Sequence, residues 1–217
     1  MTRVQLTIPL REIPFVVRTE ELEPPFEFKD LFGRSGPVEM EIGCGKGLFL
    51  VRAAEQNPET NYIGVEKAGK YFRRAVDRIH KAGHTSIRML NGDAFDVLSR
   101  WTPPRSLDAV HVYFPDPWPK ARHARRRLLQ PTLFRLIAEV LPNGQPFRLG
   151  SDVGPYFEQA VLDVLATGAF EQVAWPGDAL DRLPTSYAIK YAQEGRPLHY
   201  AKFLRNSRPL VEGDNAP

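Results

Sequence analysis

Four carboxylates and one cationic run hold the chemistry of this sequence. The densest stretch is Tyr113-Phe114-Pro115-Asp116-Pro117-Trp118-Pro119-Lys120, running on into Ala121-Arg122-His123-Ala124-Arg125-Arg126-Arg127. Three prolines within five residues each fix φ and remove a backbone donor, so the chain can neither pair nor coil there. Asp116 is held between two of them. A rigid carboxylate beside an aromatic ring, followed by five Lys/Arg and one His between Lys120 and Arg127, suits a planar anionic substrate, and nucleic acid fits better than a small metabolite. The plainer alternative is a strand exit with a solvated basic face; the conjunction of carboxylate, Trp118 and cations weighs against it.

The other three acids sit where strands are expected to end. Glu41 precedes Gly43-Cys44-Gly45-Lys46-Gly47, a G-x-G-x-G turn rather than the G-x-G-x-x-G of the pyrophosphate fingerprint. An acid at that point would repel a pyrophosphate and suits the cationic amino acid end of S-adenosylmethionine. Glu66 closes Gly64-Val65-Glu66, 23 residues after Gly43, and is placed to accept from ribose hydroxyls. Asp93, in Asn91-Gly92-Asp93-Ala94, can accept from an adenine amino group. Each acid taken alone also reads as a helix N-cap or first-turn charge, Asp93 most of all, and a glycine loop alone is often only a tight turn.

These residues need a frame of alternating strands and helices. Strands are expected at Val38–Ile42, Asn61–Val65, Ser86–Leu90, Leu107–Phe114, Pro146–Ser151 and Phe170–Trp175, with a last one within Leu198–Leu204. Helices are expected at Leu48–Gln56, Ala68–Ala82, briefly after Asp93, Gln130–Leu141 and Pro155–Ala166. That order means βαβ units and a mainly parallel sheet covered on both faces. Residues 1–35, rich in Glu and Pro, read as an irregular lead-in, 36–206 as one catalytic-type domain and 207–217 as a flexible tail.

Bulk properties narrow the class. The 217 residues are 42% hydrophobic and 25% charged, enough for one sizeable core. A single cysteine, Cys44, excludes an intrachain disulfide and a cysteine metal cluster, and favours a reducing compartment. No stretch approaches the roughly 18 apolar residues of a membrane span, and the N-terminus carries no apolar signal core, so a cytoplasmic protein is expected. Net charge is only +3, so the positive charge is concentrated rather than spread.

Taken together, Glu41–Gly47, Gly64–Glu66, Gly92–Ala94, the Phe114–His123 stretch and Pro184-Thr185-Ser186-Tyr187 resemble, in order and spacing, the bacterial tRNA (guanine-N7-)-methyltransferases. The resemblance spans roughly residues 20–206, and its most specific part is the proline-bounded Asp-Trp stretch. It implies a class I, Rossmann-like α/β methyltransferase fold: a seven-stranded, mainly parallel sheet with the last strand antiparallel and helices on both faces. It also implies methyl transfer from S-adenosylmethionine to N7 of a variable-loop guanine in tRNA, without a metal. By the same resemblance Glu41, Gly43, Gly45, Gly47, Glu66, Asp93 and Asp116 form the cofactor set, with Asp116 also catalytic. Lys120, Asp152 and the run Arg122, His123, Ala124, Arg125, Arg126 and Arg127 correspond to substrate-binding positions. Thr185, Ser186, Tyr187 and Ala188 correspond to a C-terminal substrate motif. That motif ordinarily closes on an acid, and Ala188 stands in its place, which puts base recognition by this segment in doubt. Three rivals stay open: a class I methyltransferase acting on another RNA or on protein, a nicotinamide-dependent oxidoreductase, and a non-catalytic RNA-binding relative. Trp118 reads equally as a base-stacking ring or a core residue, and Tyr187, Lys190 and Tyr191 as substrate contacts or packing. Oligomeric state is open between monomer and homodimer.

Overall fold

The computed structural model describes residues 9–119, 121–175 and 184–211. Its centre is one seven-stranded sheet built from β1 (Val38–Ile42), β2 (Asn61–Val65), β3 (Ile87–Leu90), β4 (Ala109–Tyr113), β5 (Pro146–Ser151), β6 (Phe170–Val173) and β7 (His199–Arg205). Strand order is β3-β2-β1-β4-β5-β7-β6. The first five strands run parallel, and β7 is inserted antiparallel to both β5 and β6. The expected fold class is therefore the observed one.

Seven α-helices accompany the strands among the described residues: α1 (Phe28–Phe32), α2 (Leu48–Gln56), α3 (Gly69–Ala82), α4 (Ala94–Asp96), α5 (Pro131–Val140), α6 (Gly154–Ala166) and α7 (Ser186–Gln193). Their ends follow local chemistry. Gly83 leaves α3 at φ +71°, in the left-handed region, and its amide donates to the carbonyls of Ile79 and His80. Proline opens α5 and α6, where a missing N–H costs nothing. Thr185 caps α7, its hydroxyl accepting from Ala188 N at 2.9 Å.

Alternation along the strands splits the core in two. Met40, Ile42, Val110, Val112, Phe147 and Leu149 face α5 and α6 and pack with Leu133, Phe134, Ile137, Ala160 and Val164. The second layer holds Tyr62, Ile87 and Met89 against Phe49 and Leu50 of α2 and Phe72, Val76 and Ile79 of α3. The lead-in is irregular yet belongs to this packing, since Ile13, Phe15, Phe26 and Phe32 are all buried. Val17 N donates to Met89 O at 2.9 Å and Met89 N to Phe15 O at 2.8 Å. The outer edge of β3 is thereby covered, which removes an open edge available to other chains.

The end of the fourth strand moved for a physical reason. The fourth strand stops at Tyr113 rather than Phe114, because Phe114 turns to φ +52°. Helix α7 has no counterpart in the helices expected from sequence, although Tyr187 and Tyr191 stand four residues apart and their rings meet on one face.

The order places β4 beside β1, so the chain leaves β1 toward β2 and β3 and returns to the other flank. Adjacent parallel strands whose connections diverge leave a crevice at their carboxyl ends. Ile42 pairs with Val112 there. The glycine turn and the Asp116 loop are consequently neighbours, which the sequence alone could only suppose.

Candidate active site

A cleft of about 630 Å³ opens at that switch point. Its lining takes Gly43 and Gly45 from the first turn, Glu66, Lys67, Ala68 and Tyr71 after β2, and Gly92 to Phe95 after β3. Phe114, Pro115, Asp116 and Trp118 come from the loop after β4, Arg125 to Leu128 from the basic run, and Tyr187 from α7.

The glycine turn is shaped by its neighbours. Gly43 and Gly45 lie at φ +71° and +57°, a region side chains rarely adopt. Gly43 N and Cys44 N donate to Val65 O at 2.8 and 3.1 Å. A Cβ on Gly45 would stand 3.4 Å from Tyr187, so the turn and α7 meet there. Gly47 is used differently. It lies outside the lining, and a Cβ on it would meet Ala75 Cβ at 3.0 Å, so its place is close packing of α2 on α3.

Glu66 ties this turn to the second strand end. Its Oε2 accepts from Gly45 N at 2.9 Å and its Oε1 from Ala68 N at 2.7 Å. Burial pushes its carboxyl above the usual range against those hydrogen bonds, and the nearby Asp116 charge adds to the rise. Glu41 lies behind the cleft floor, 3% exposed, with Oε2 lacking any hydrogen-bond partner. Burial, and then the charge of Glu66, raise its carboxyl well above the ordinary value. Asp93 is doubly engaged: Oδ1 accepts from Phe95 N at 2.9 Å and Oδ2 from Lys67 Nζ at 2.8 Å. Burial works against its ionisation, but the Lys67 hydrogen bond and charge and the Phe95 amide together hold its carboxyl below the usual range.

The Asp116 loop is strained at both ends. Phe114 and Trp118 have φ of +52° and +42°, values that cost roughly 1–3 kcal/mol each in a non-glycine residue. Phe114 is held by its amide donating to Gly150 O at 2.7 Å, and its ring meets the edges of Tyr191 and Tyr200. Trp118 is held by Arg127, whose Nε and Nη2 donate to Trp118 O at 3.3 and 3.2 Å. Asp116 itself is exposed and makes no hydrogen bond among the described residues. Its negative charge reaches Glu66, Tyr187 and Tyr191.

The basic run divides by task. Arg127 serves the loop; Arg126 stacks over the Trp118 ring at 5.2 Å, and His123 meets that ring edge-on at 5.5 Å. Arg125 is exposed on the lining, and Arg122 is exposed outside it. Lys120 lies outside the described residues, as does the side chain of Ala124. Trp118 is half-buried on the cleft wall, so its ring is not a core residue.

The C-terminal motif contributes less directly. Thr185 is buried as the α7 cap, and Ala188 is packed with the second core layer. Ser186 Oγ is buried without a partner. Tyr187 alone reaches the cleft, with its hydroxyl raised above the ordinary range by burial and by a hydrogen bond with Tyr71. Asp152 stands off the lining, bound by Arg196 Nη1 at 2.9 Å, with that guanidinium over the Tyr191 ring.

Sequence reasoning missed Lys67 and Tyr71. Lys67 adjoins Glu66 in the chain, and Tyr71 lies one turn into α3, where the polar face begins. Among the described residues no group of three or more His, Cys, Asp or Glu side chains could hold a metal ion, and no helix is long and apolar enough to cross a membrane.

A glycine turn, acids at successive strand ends and an antiparallel seventh strand define a class I methyltransferase fold. Solved structures agree in fold: the 16S rRNA methyltransferase KamB superposes with TM-score 0.62 at 16% identity, covering 83% of this chain and 93% of that one. A Haemonchus contortus phosphoethanolamine N-methyltransferase in complex with S-adenosyl-L-methionine gives 0.53 at 15% identity, over 83% and 51%. The sequence model of a family described as "Putative methyltransferase" matches residues 35–201. Among curated relatives, the tRNA (guanine-N(7)-)-methyltransferase of Leifsonia xyli is 36% identical over 83% of this chain and 79% of its own length. The enzyme of that name from Thermus thermophilus is 37% identical over 83% of this chain and 58% of its own, and the one from Mycobacterium avium 41% over 76% and 62%. The chain belongs to the tRNA (guanine-N(7)-)-methyltransferase family, and it spans less than two thirds of the Thermus and Mycobacterium relatives.

Proposed function

We propose that this protein transfers the methyl group of S-adenosylmethionine to N7 of a variable-loop guanine in tRNA, giving 7-methylguanosine. The observation that carries the reading is the Asp116 carboxylate, unpartnered among the described residues and held on a strained loop at the rim it shares with the glycine turn and Trp118.

The donor set suits the cofactor. Glu41, Glu66 and Asp116 crowd negative charge, two of them with raised carboxyls, and a ligand bearing positive charge relieves that crowding. Glu66 keeps lone pairs for ribose hydroxyls beyond the two amides it already serves, since a carboxylate offers about four acceptor sites. Asp93 accepts the adenine amino group by the same spare capacity, beside its bond from Lys67. The cofactor supplies an electrophilic methyl group on a sulfonium.

What remains is positioning. Guanine N7 is an unprotonated ring nitrogen, so its lone pair forms the new N–C bond as the C–S bond pair returns to sulfur, and no proton moves. No general base is required; alignment dominates. Trp118 offers a stacking face backed by Arg126. Asp116 holds the purine edge and opposes the positive charge that develops on the ring as the bond forms. Arg125 and Arg122 meet phosphates, giving salt-dependent affinity.

The test is incubation with bulk tRNA and labelled S-adenosylmethionine, followed by nucleoside analysis for 7-methylguanosine. Asp116→Asn, whose side chain has no partner among the described residues to lose, should keep the fold and lower the rate at saturating tRNA by roughly 10²-fold. An unchanged rate removes Asp116 from the chemistry, and a different modified nucleoside overturns the assignment.

A further inference from the structure

One lip of the cleft is Arg125 to Arg127. The other opens onto α3, which starts three residues after Glu66 and carries Lys70, Arg73, Arg74, Arg78 and Lys81 outward from the cleft. At 100° per residue these fall within one stripe, opposite the buried Phe72, Ala75, Val76 and Ile79. From Lys70 to Lys81 the stripe runs ~16 Å along the helix axis.

An ordinary solvated helix face mixes signs and pairs them. This one holds a single acid, Asp77, already taken by Lys81 at 2.7 Å. Arg52 of α2 adds to it: α2 and α3 together have six Lys/Arg against Glu55 and Asp77, in a chain with 29 against 26 overall. Helix α6, on the other side of the sheet, has no Lys or Arg. Positive charge is therefore in clear excess on α2 and α3. Arg52, Lys70, Arg74 and Arg78 make no ion pair among the described residues. Arg78 is half-buried, and burial and then the Arg52 charge lower its guanidinium from the ordinary value. Like charges held together, with their one acid already engaged by Lys81, are stabilised by an anion from outside.

We infer that the α3 stripe, completed by Arg52, is a second phosphate-binding surface, across the cleft from the Arg122–Arg127 run, along which the body of the RNA substrate lies while its target base enters beside Asp116. The inference rests on the proposed RNA substrate. Phosphate contacts of this kind set register and affinity without reading sequence. Two cationic lips flanking one cleft require a polyanion that spans it, which an isolated nucleotide does not.

The experiment compares wild type with Lys70→Ala/Arg74→Ala/Arg78→Ala in tRNA binding between 50 and 200 mM KCl. Lys70→Ala/Arg74→Ala serves as the second variant, sparing half-buried Arg78. Removing three phosphate contacts lowers the slope of log K against log salt by about 2.7. The affinity gap to wild type then shrinks about fortyfold across that range. Methylation of full-length tRNA should show a raised KM, while a short hairpin carrying the same guanine is methylated at the wild-type rate. Unchanged cofactor binding confirms folding. Coincident salt slopes overturn the inference. So does an unchanged tRNA slope with lost retention on anionic lipid vesicles, which reassigns the stripe to a membrane surface. Absence of 7-methylguanosine with the wild type defeats the proposed function instead, and the binding slopes still judge the surface.

Discussion

Glu41→Gln should make this protein more stable at neutral pH and worse at holding its cofactor. Glu41 is 3% exposed and its Oε2 has no partner; an unsatisfied buried acceptor costs about 1–3 kcal/mol. Glutamine keeps the shape and removes both the buried charge and its repulsion by Glu66. For a protein of this size 1 kcal/mol is about 2–4 °C in Tm, so the variant should melt roughly 2–12 °C higher at pH 8. The pH dependence fixes the cause. A carboxyl whose folded-state value lies above the unfolded one, near 4.5, binds its proton more tightly when folded. Its stabilisation is full below pH 4.5 and is lost as pH rises through the folded value.

The wild type should thus lose stability from about pH 4.5 upward along a slope that Glu41→Gln lacks. Urea denaturation of both proteins at half-unit steps from pH 4.5 to 8.5 reads this directly. A variant less stable than wild type at pH 8, or a gain of equal size at every pH, would refute the reasoning. The same charge that burdens the fold attracts a cationic ligand. Calorimetry should show S-adenosylmethionine binding weakened by about 1–3 kcal/mol in the variant, roughly 5- to 150-fold. Stability set aside for a ligand is a common trade at functional sites.

Trp118→Ala removes a stacking face worth about 1–3 kcal/mol per base, so it should raise KM for tRNA about 5- to 150-fold while leaving cofactor affinity unchanged by calorimetry. Gly64→Ala introduces a Cβ 2.5 Å from Leu50 Cδ1 and 2.6 Å from Met89 Sδ. Both neighbours are fully buried, so overpacking should cost about 1–3 kcal/mol, seen as an earlier urea midpoint with the slope unchanged. Arg205→Ala strips a buried guanidinium that donates to the carbonyls of Ala138, Ala169, Asn206 and Arg208. With several buried acceptors orphaned together, a loss of at least about 3 kcal/mol is expected in the same assay.

What could be read from the sequence follows the range of the forces involved. Strands β1, β2 and β5 and helix α2 match expectation to the residue, because alternation, apolar runs and Gly or Pro stops act over a few neighbours. The rigidity of the Asp116 loop was legible for the same reason, since each proline constrains its own φ. The left-handed Phe114 and Trp118 were not, because the groups holding them, Gly150 O and Arg127, are distant along the chain or hidden in a uniform charge run. Arg122 and Arg127 look alike as letters; only the carbonyl at Trp118 separates a free cation from one already engaged. The lead-in shows the reverse error, its glutamates and prolines masking four buried apolar side chains. Helix α7 did carry its signals, a Thr185 cap, a Gly195 stop and Tyr187 and Tyr191 four residues apart, yet only Ala188 within it is buried, so the apolar period of a core-facing helix is missing. Lys67 and Tyr71 had none, since their partners Asp93 and Tyr187 are met only once the sheet is assembled. Residues that serve a ligand are judged by what stands across the cleft, and that distance is fixed by topology rather than by local pattern.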